Sequence, residues 1–286
     1  GVESIGDTMA GLTGEQIAFY KDEGYLLLDE CLPPEAYQPL VDEFNAVIGQ
    51  KAREAYALGQ LERLFEDAPF ERRLAYLCEA LGTDKRFVGE ILGKAHKTAG
   101  LFFLLTHPAI LNVVESIIGP EILVHPQFNI RAKMPGEAEV LWHQDIAFLD
   151  PEVEKTFMIN FWVPLVDTDV ENGCLEILAG SHKHGIIPHD PADSEKEIPE
   201  DRLPPGDRVL SVLPAGGAAL IQHKTIHRSF PNESDHIRWS LDIRYSDYRL
   251  PTGREEVPGF VARSEIDPGR VASGHEDWIR IMEMKG

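Results

Sequence analysis

From residue 121 to residue 245 the chain is a succession of short apolar or alternating segments cut by Gly and Pro, and this texture limits the folds open to it. Ile122-Leu123-Val124 is the first such segment. In the next, Phe128, Ile130, Ala132 and Met134 alternate with Gln127, Asn129, Arg131 and Lys133, the period of a strand with two unlike faces. Pro135-Gly136 marks a turn, residues 140–146 a further strand, and residues 156–166 a strongly apolar strand containing Trp162. Glu171-Asn172-Gly173 is another turn, in which Gly supplies a positive φ, before a strand at 174–178. After a polar loop at 182–207, strands are expected at 208–213, 218–222 and 238–245. Short strands separated in this way predict a barrel or a jelly-roll sandwich.

The first 120 residues read differently. Thr13-Gly14-Glu15-Gln16 fits a capping box that opens a short helix through Tyr20, ended near Gly24. Tyr25-Leu26-Leu27-Leu28 reads as a buried strand. Pro33-Pro34 opens a helix to about Leu58, with Leu40, Val41, Phe44 and Ile48 on one stripe. Helices are also expected at 61–81 and 108–118, the second stopped by Gly119-Pro120. Residues 89–100 are a polar, Gly-containing stretch, and Phe102-Phe103-Leu104-Leu105 reads as core. The tail from Gly253 ends in a short helix near Trp278. The expectation is one α+β domain over 1–286 with a mainly β core: a helical scaffold at 1–120, a barrel or jelly roll at 121–250, and a tail at 251–286.

Composition narrows the partners. With 27 basic against 48 acidic residues the formal net charge is −21, which makes nucleic acid and anionic membrane surfaces poor partners. No apolar run of about 18 residues is present, so no membrane-spanning helix is expected. The first residues show neither the basic patch nor the apolar core of a signal peptide. Cys31, Cys78 and Cys174 are widely spaced without a CxxC and read as reduced core residues of a cytoplasmic protein. Oligomeric state is not legible.

The chemistry concentrates in Trp142-His143-Gln144-Asp145 and in His227. A His and an Asp at i, i+2 on a strand point to one face and can offer an imidazole nitrogen and a carboxylate oxygen to one metal. A second, distant imidazole completes two His and one carboxylate with open positions, the arrangement of non-haem Fe(II) oxygenases. His-x-Asp alone is a weak signal, because Asp145 can equally cap a turn. His223 competes with His227, and spacing on a strand does not separate them. The context of His227 does, since Arg238 lies eleven residues beyond it. A buried Arg with a bidentate fork suits a dicarboxylate cosubstrate, while its plain reading is a surface salt bridge. His182, His184 and His189 lack the Glu that a second cupin-type site would need.

In these residues the chain resembles the phytanoyl-CoA dioxygenase-like Fe(II)/2-oxoglutarate oxygenases, which implies a double-stranded β-helix (jelly roll) for the core at 121–250. The resemblance runs from about Leu101 to Tyr245 and rests on Trp142-His143-Gln144-Asp145, Asn172-Gly173-Cys174-Leu175, Gly180-Ser181-His182-Lys183 and His227-x-Ser229-x-x-Asn232-x-Ser234 with Arg238. It implies that His143, Asp145 and His227 hold Fe(II), and that Arg238, assisted by Ser229, binds the distal carboxylate of 2-oxoglutarate. It places Trp162 and Gln144 along the cosubstrate pocket, with Gln127 a further polar contact. Some family members also use a Lys upstream of the first ligand; Lys94 and Lys97 are only nearby here.

The resemblance implies oxidation, most simply hydroxylation, of an unactivated C–H bond of a small organic metabolite, using O2 and releasing succinate and CO2. Related halogenases carry a small residue where this chain has Asp145. Two other classes fit the same ligands: a hydrolase or isomerase on another divalent metal, in which Arg238 would hold no dicarboxylate, and a non-catalytic jelly-roll binding module.

Overall fold

A computed structural model describes residues 8–82, 85–94, 97–190 and 192–284. Thr13 caps α1 (Gly14–Glu23): its hydroxyl accepts from Gln16 N, the Gln16 side chain accepts from Thr13 N, and Gly24 closes the helix at φ 77°. β1 (Tyr25–Leu28) follows, then α2 (Pro34–Ala57), which buries Leu40, Phe44 and Ile48 along one stripe. The next helix is shorter than its apolar spacing predicts. Pro69 disfavours helical backbone in the residue before it, so α3 covers only Phe70–Leu81 and residues 61–69 are turns and irregular chain. The polar stretch at 89–100 is largely helical instead, in α4 (Lys85–Lys94) and the start of α5 (Ala99–Leu105). α6 (Pro108–Ile118) begins at a His107 cap.

By composition Ala99–Ile118 is apolar enough to cross a membrane, which the absence of a long uninterrupted apolar run had not suggested. It folds as two helices broken at Thr106-His107, and Leu101, Leu104, Ile110 and Val113 are fully buried in the main core.

The strands are β2 (Ile122–Val124), β3 (Asn129–Lys133), β4 (Val140–His143), β5 (Ile159–Pro164), β6 (Leu175–Leu178), β7 (Arg208–Leu210), β8 (Ala218–Gln222), β9 (His227–Ser229), β10 (Arg238–Ser246) and β11 (Phe260–Arg263), followed by α7 (His275–Glu283). The larger antiparallel sheet runs β1-β8-β5-β10-β2-β11, with β3 also on β10; the smaller runs β4-β9-β6-β7. Together they form the jelly roll. β11 was not foreseen, being four residues directly after Pro258-Gly259 with no alternation to mark it. It is held by pairing with β2 and by Phe260 packing on Trp278 of α7, ring centroids 5.0 Å apart.

β10 organises the larger sheet. Trp239, Leu241, Ile243 and Tyr245 enter the main core beneath the helices, where Trp239 stacks on Phe44 and Phe70 at 5.0 and 4.6 Å. By the strand period Arg238, Ser240, Asp242 and Arg244 face the other way, toward the space between the sheets. β3 repeats the pattern: Ala132 joins the core with Ile130 packed on it, and Asn129, Arg131 and Lys133 oppose them. A second apolar cluster, including Trp162, Cys174, Ile177 and Ile221, ties the two sheets together. All three cysteines are buried.

Candidate metal and cosubstrate centre

β4 and β9 bring the two histidines together. His143 and His227 are register partners, with ring centroids 4.3 Å apart. The strand does not continue to residue 146 as its sequence suggests: β4 ends at His143, and Asp145 opens a short 3-10 turn (Asp145–Phe148) whose Ile146 N donates to His223 O. The turn brings Asp145 Oδ1 to 3.4 Å from His143 Nε2 and 3.6 Å from His227 Nε2. One ligand atom from each of the three lies within 4.8 Å of the others, a group that could hold a metal ion.

The tautomers suit that role. His143 Nδ1 lies 2.8 Å from Leu141 O and His227 Nδ1 lies 3.0 Å from Thr225 O. A carbonyl only accepts, so each Nδ1 carries the proton, and in the neutral imidazole each Nε2 keeps a lone pair on the side of Asp145. Asn160 Nδ2 donates to Asp145 Oδ2 at 2.5 Å, holding the outer oxygen and leaving Oδ1 to the histidines. Burial opposes the Asp145 charge, but His227, Arg244 and His143 outweigh it and hold the carboxyl well below the usual range. Burial likewise opposes protonation of His143, yet its contacts with Asp145 prevail and push it up; His227 is pushed down, chiefly by burial.

The His227 strand is braced from behind. Thr225 Oγ1 donates to Gly24 O at 2.7 Å, Ile226 N donates to Ser181 Oγ at 2.8 Å, and Gln144 Nε2 donates to Lys224 O at 2.8 Å. Gln144 also bonds Gly185 O and Ile187 N, each at 2.8 Å. Its position is therefore a correction. As the residue between the two ligands, Gln144 faces away from the cavity, as strand alternation requires, and ties the loop at 185–187 to the turn before His227. In the Gly180-Ser181-His182 motif Ser181 serves the same turn, while His182 Nε2 lies 2.9 Å from Lys21 O of α1. His223 stands outside the metal group, and burial drives its imidazole down to about 4.

A cavity of about 320 Å³ opens over the triad. Arg238, Ser229 and Trp162 line it, as expected, and so does Lys133. Arg238 is 2% exposed; it donates to Gly173 O at 2.6 Å and lies 5.4 Å from the Trp162 ring, but its Nε has no partner among the described residues. Gly173 sits at φ 99°, and a Cβ there would come within 2.8 Å of Phe230 O, so the turn needs Gly to deliver that carbonyl. Lys133 Nζ donates to Ser229 Oγ at 3.1 Å and to Phe230 O at 2.5 Å. Burial, then the neighbouring Arg238, lowers this ammonium to about 8. Asn232 and Ser234 do not line the cavity: Asn232 Nδ2 binds Lys133 O and His236 O, and Ser234 Oγ binds Asn232 Oδ1. Gln127 lies one layer out, accepting from Arg244, whose other terminal nitrogen lies 3.8 Å from Asp145 Oδ1.

Lys133, Asn160 and Arg244 are among the lining residues that sequence reasoning did not single out. The alternation through Gln127, Asn129, Arg131 and Lys133 was visible; that its polar face turns toward the triad was not. Lys97 does not line the cavity, and the Lys94 side chain lies outside the described residues.

Residues 20–240 match the family model described as phytanoyl-CoA dioxygenase (PhyH). The chain belongs to the phytanoyl-CoA dioxygenase family. It is similar to phytanoyl-CoA dioxygenase domain-containing protein 1 of Danio rerio, 28% identical over 295 residues that span 86% of this chain and 97% of the relative. Among solved structures it is similar to the apo form of the non-haem monooxygenase ThoJ, with a TM-score of 0.62 at 22% identity over 94% of each chain. It is also similar to the epimerase SnoN in complex with Fe3+, alpha ketoglutarate and nogalamycin RO, with a TM-score of 0.53 at 22% identity over 84% of this chain and 86% of that one. These likenesses carry the jelly-roll fold.

Membership makes the chain a non-haem iron, 2-oxoglutarate-dependent dioxygenase, with Fe(II) as its metal and 2-oxoglutarate and O2 as cosubstrates. The hydrolase, isomerase and binding-module readings are thereby set aside. The residues present fit these groups: two Nε2 lone pairs and a carboxylate oxygen converge at one point, and an incompletely bonded buried guanidinium awaits an anion.

Proposed function

We propose that this dioxygenase hydroxylates an unactivated C–H bond of a small organic metabolite, with His143 Nε2, Asp145 Oδ1 and His227 Nε2 as the iron ligands. Bound iron with 2-oxoglutarate and O2 supplies the oxidising power for C–H cleavage, with release of succinate and CO2. The observation that carries the reading is the placement of the triad and of Arg238 in one cavity. Arg238 and Lys133 take the distal carboxylate, Arg238 through its unspent nitrogens, with Ser229 between them. A buried, incompletely bonded guanidinium is costly, and an anion in the cavity relieves it. Trp162 walls this end and excludes water, while Asn160 and Arg244 hold Asp145 with one oxygen toward the iron. A filled Asp145 position leaves no ligand gap for a halide, which supports hydroxylation over halogenation.

The test is Fe(II)-dependent release of succinate from 2-oxoglutarate. The parent should release succinate only with iron and O2, and Asp145→Ala should lose both iron retention and succinate release. Full iron binding and turnover in Asp145→Ala would remove the assignment.

A further inference from the structure

The cavity holds more polar chemistry than the metal and cosubstrate use. Arg131 and Asp242 also line it, on adjacent strands β3 and β10, and Arg131 Nε donates to Asp242 Oδ2 at 2.7 Å. The pair has no net charge and presents donors beside acceptors. An anion placed there would gain Arg131 but meet Asp242, and a cation the reverse, so either is opposed by a like charge. An uncharged group that both donates and accepts can bridge it intact.

α4 adds Val88, Gly89 and Leu92 to the cavity wall. Glycine inside a helix is unfavourable relative to alanine, because it surrenders more backbone freedom. Gly89 has no positive φ, and a Cβ added to it would meet nothing within 4 Å among the described residues. Neither backbone conformation nor packing within the chain therefore calls for glycine. Gly89 is exposed where it lines the cavity, and a bare helix surface there lets a flat molecule approach the backbone.

We propose that the substrate lies between Gly89 and the Arg131–Asp242 pair. It is a small molecule with an apolar, ring-like body against the bare turn of α4, flanked by Val88 and Leu92. Its one uncharged hydrogen-bonding group, a hydroxyl or an amide, sits on the ion pair. The assignment rests on the oxygenase reading of the same cavity and goes beyond it by naming the substrate's chemistry.

Three probes that share a ring and differ in head group test it: cyclohexanecarboxamide, cyclohexanecarboxylate and cyclohexylmethylamine. Each is titrated anaerobically into protein loaded with Fe(II) and 2-oxoglutarate, and binding is read as a shift of the visible charge-transfer band. The parent should bind the carboxamide about tenfold more tightly than either charged probe. Asp242→Asn should turn the preference to the carboxylate and Arg131→Gln to the amine. Gly89→Leu should abolish binding of all three, while Gly89→Ala, which folds at least as well as the parent, should weaken it. An unchanged order of affinities in both charge variants, parent-like binding in Gly89→Leu, or a parent that shows the band but binds no probe would overturn the proposal. A charge variant that lost the band itself would place its residue with the cosubstrate, and would overturn it too. A parent with bound iron and no band would instead count against the oxygenase reading.

Discussion

Lys133 carries a pH dependence whose sign follows from its surroundings. Burial and Arg238 lower its ammonium to about 8, while Glu137 partly opposes them. Below that value the free enzyme already holds the proton and offers a cation to the 2-oxoglutarate carboxylate. Above it the proton must be recaptured on binding, because an adjacent anion raises the pKa in the complex. The dissociation constant for 2-oxoglutarate should therefore rise as pH climbs through about 8, by at most about tenfold per pH unit. Arginine stays protonated throughout, so Lys133→Arg should flatten this limb; isothermal titration across the range checks it, and an unchanged limb would assign it to another group. Asn160 makes a second residue-level case. Its amide fixes the outer oxygen of Asp145, so Asn160→Leu should weaken Fe(II) binding about 10- to 100-fold in metal titrations. Parent-like affinity would show that Asp145 needs no such brace. The triad was legible because His143-x-Asp145 and His227 fall in an ordered set of motifs, with Ser229 and Arg238 after His227. Lys133, Asn160 and Arg244 were not, since a polar residue on a strand does not declare which face looks into a cavity.

At the scale of elements, chain breaks decided what the sequence revealed. The capping box at Thr13, the Gly24 stop and the Pro-initiated helices were legible because each device acts within a few residues. The start of α3 was missed because apolar spacing continued through Pro69, and β11 because its order comes from β2 and α7. Gln144 is the instructive miss. Lying between His143 and Asp145 in the chain, it points to the opposite side from both, where it has three backbone partners behind the site. Gln144→Leu should lower stability to chemical denaturation by about 2–4 kcal/mol, the loss of several buried hydrogen bonds, while 2-oxoglutarate affinity stays at the parent level. The reverse outcome, intact stability with weakened cosubstrate binding, would return Gln144 to the pocket.

For the molecule as a whole, two sheets with a helical layer beneath the larger one put the charged faces of β3 and β10 into a shared interior. A barrel or jelly roll was legible from strand length and turn spacing; its pairing was not, since β1 joins β8 across nearly two hundred residues. A chain of net charge −21 thus sets Lys133, Arg238 and Arg244 around one cavity against Glu137 and Asp145, with Arg131 neutralised by Asp242. That local reversal of sign is what an anionic cosubstrate requires. The most direct test of this account is anaerobic titration of the apo-protein with Fe(II) and then 2-oxoglutarate, following the visible metal-to-ligand charge-transfer band in the parent and in Arg238→Ala. The account predicts a band in the parent that develops only at higher 2-oxoglutarate concentration in the variant. Iron demonstrably bound with no band in the parent, or a band unmoved by loss of Arg238, would contradict it.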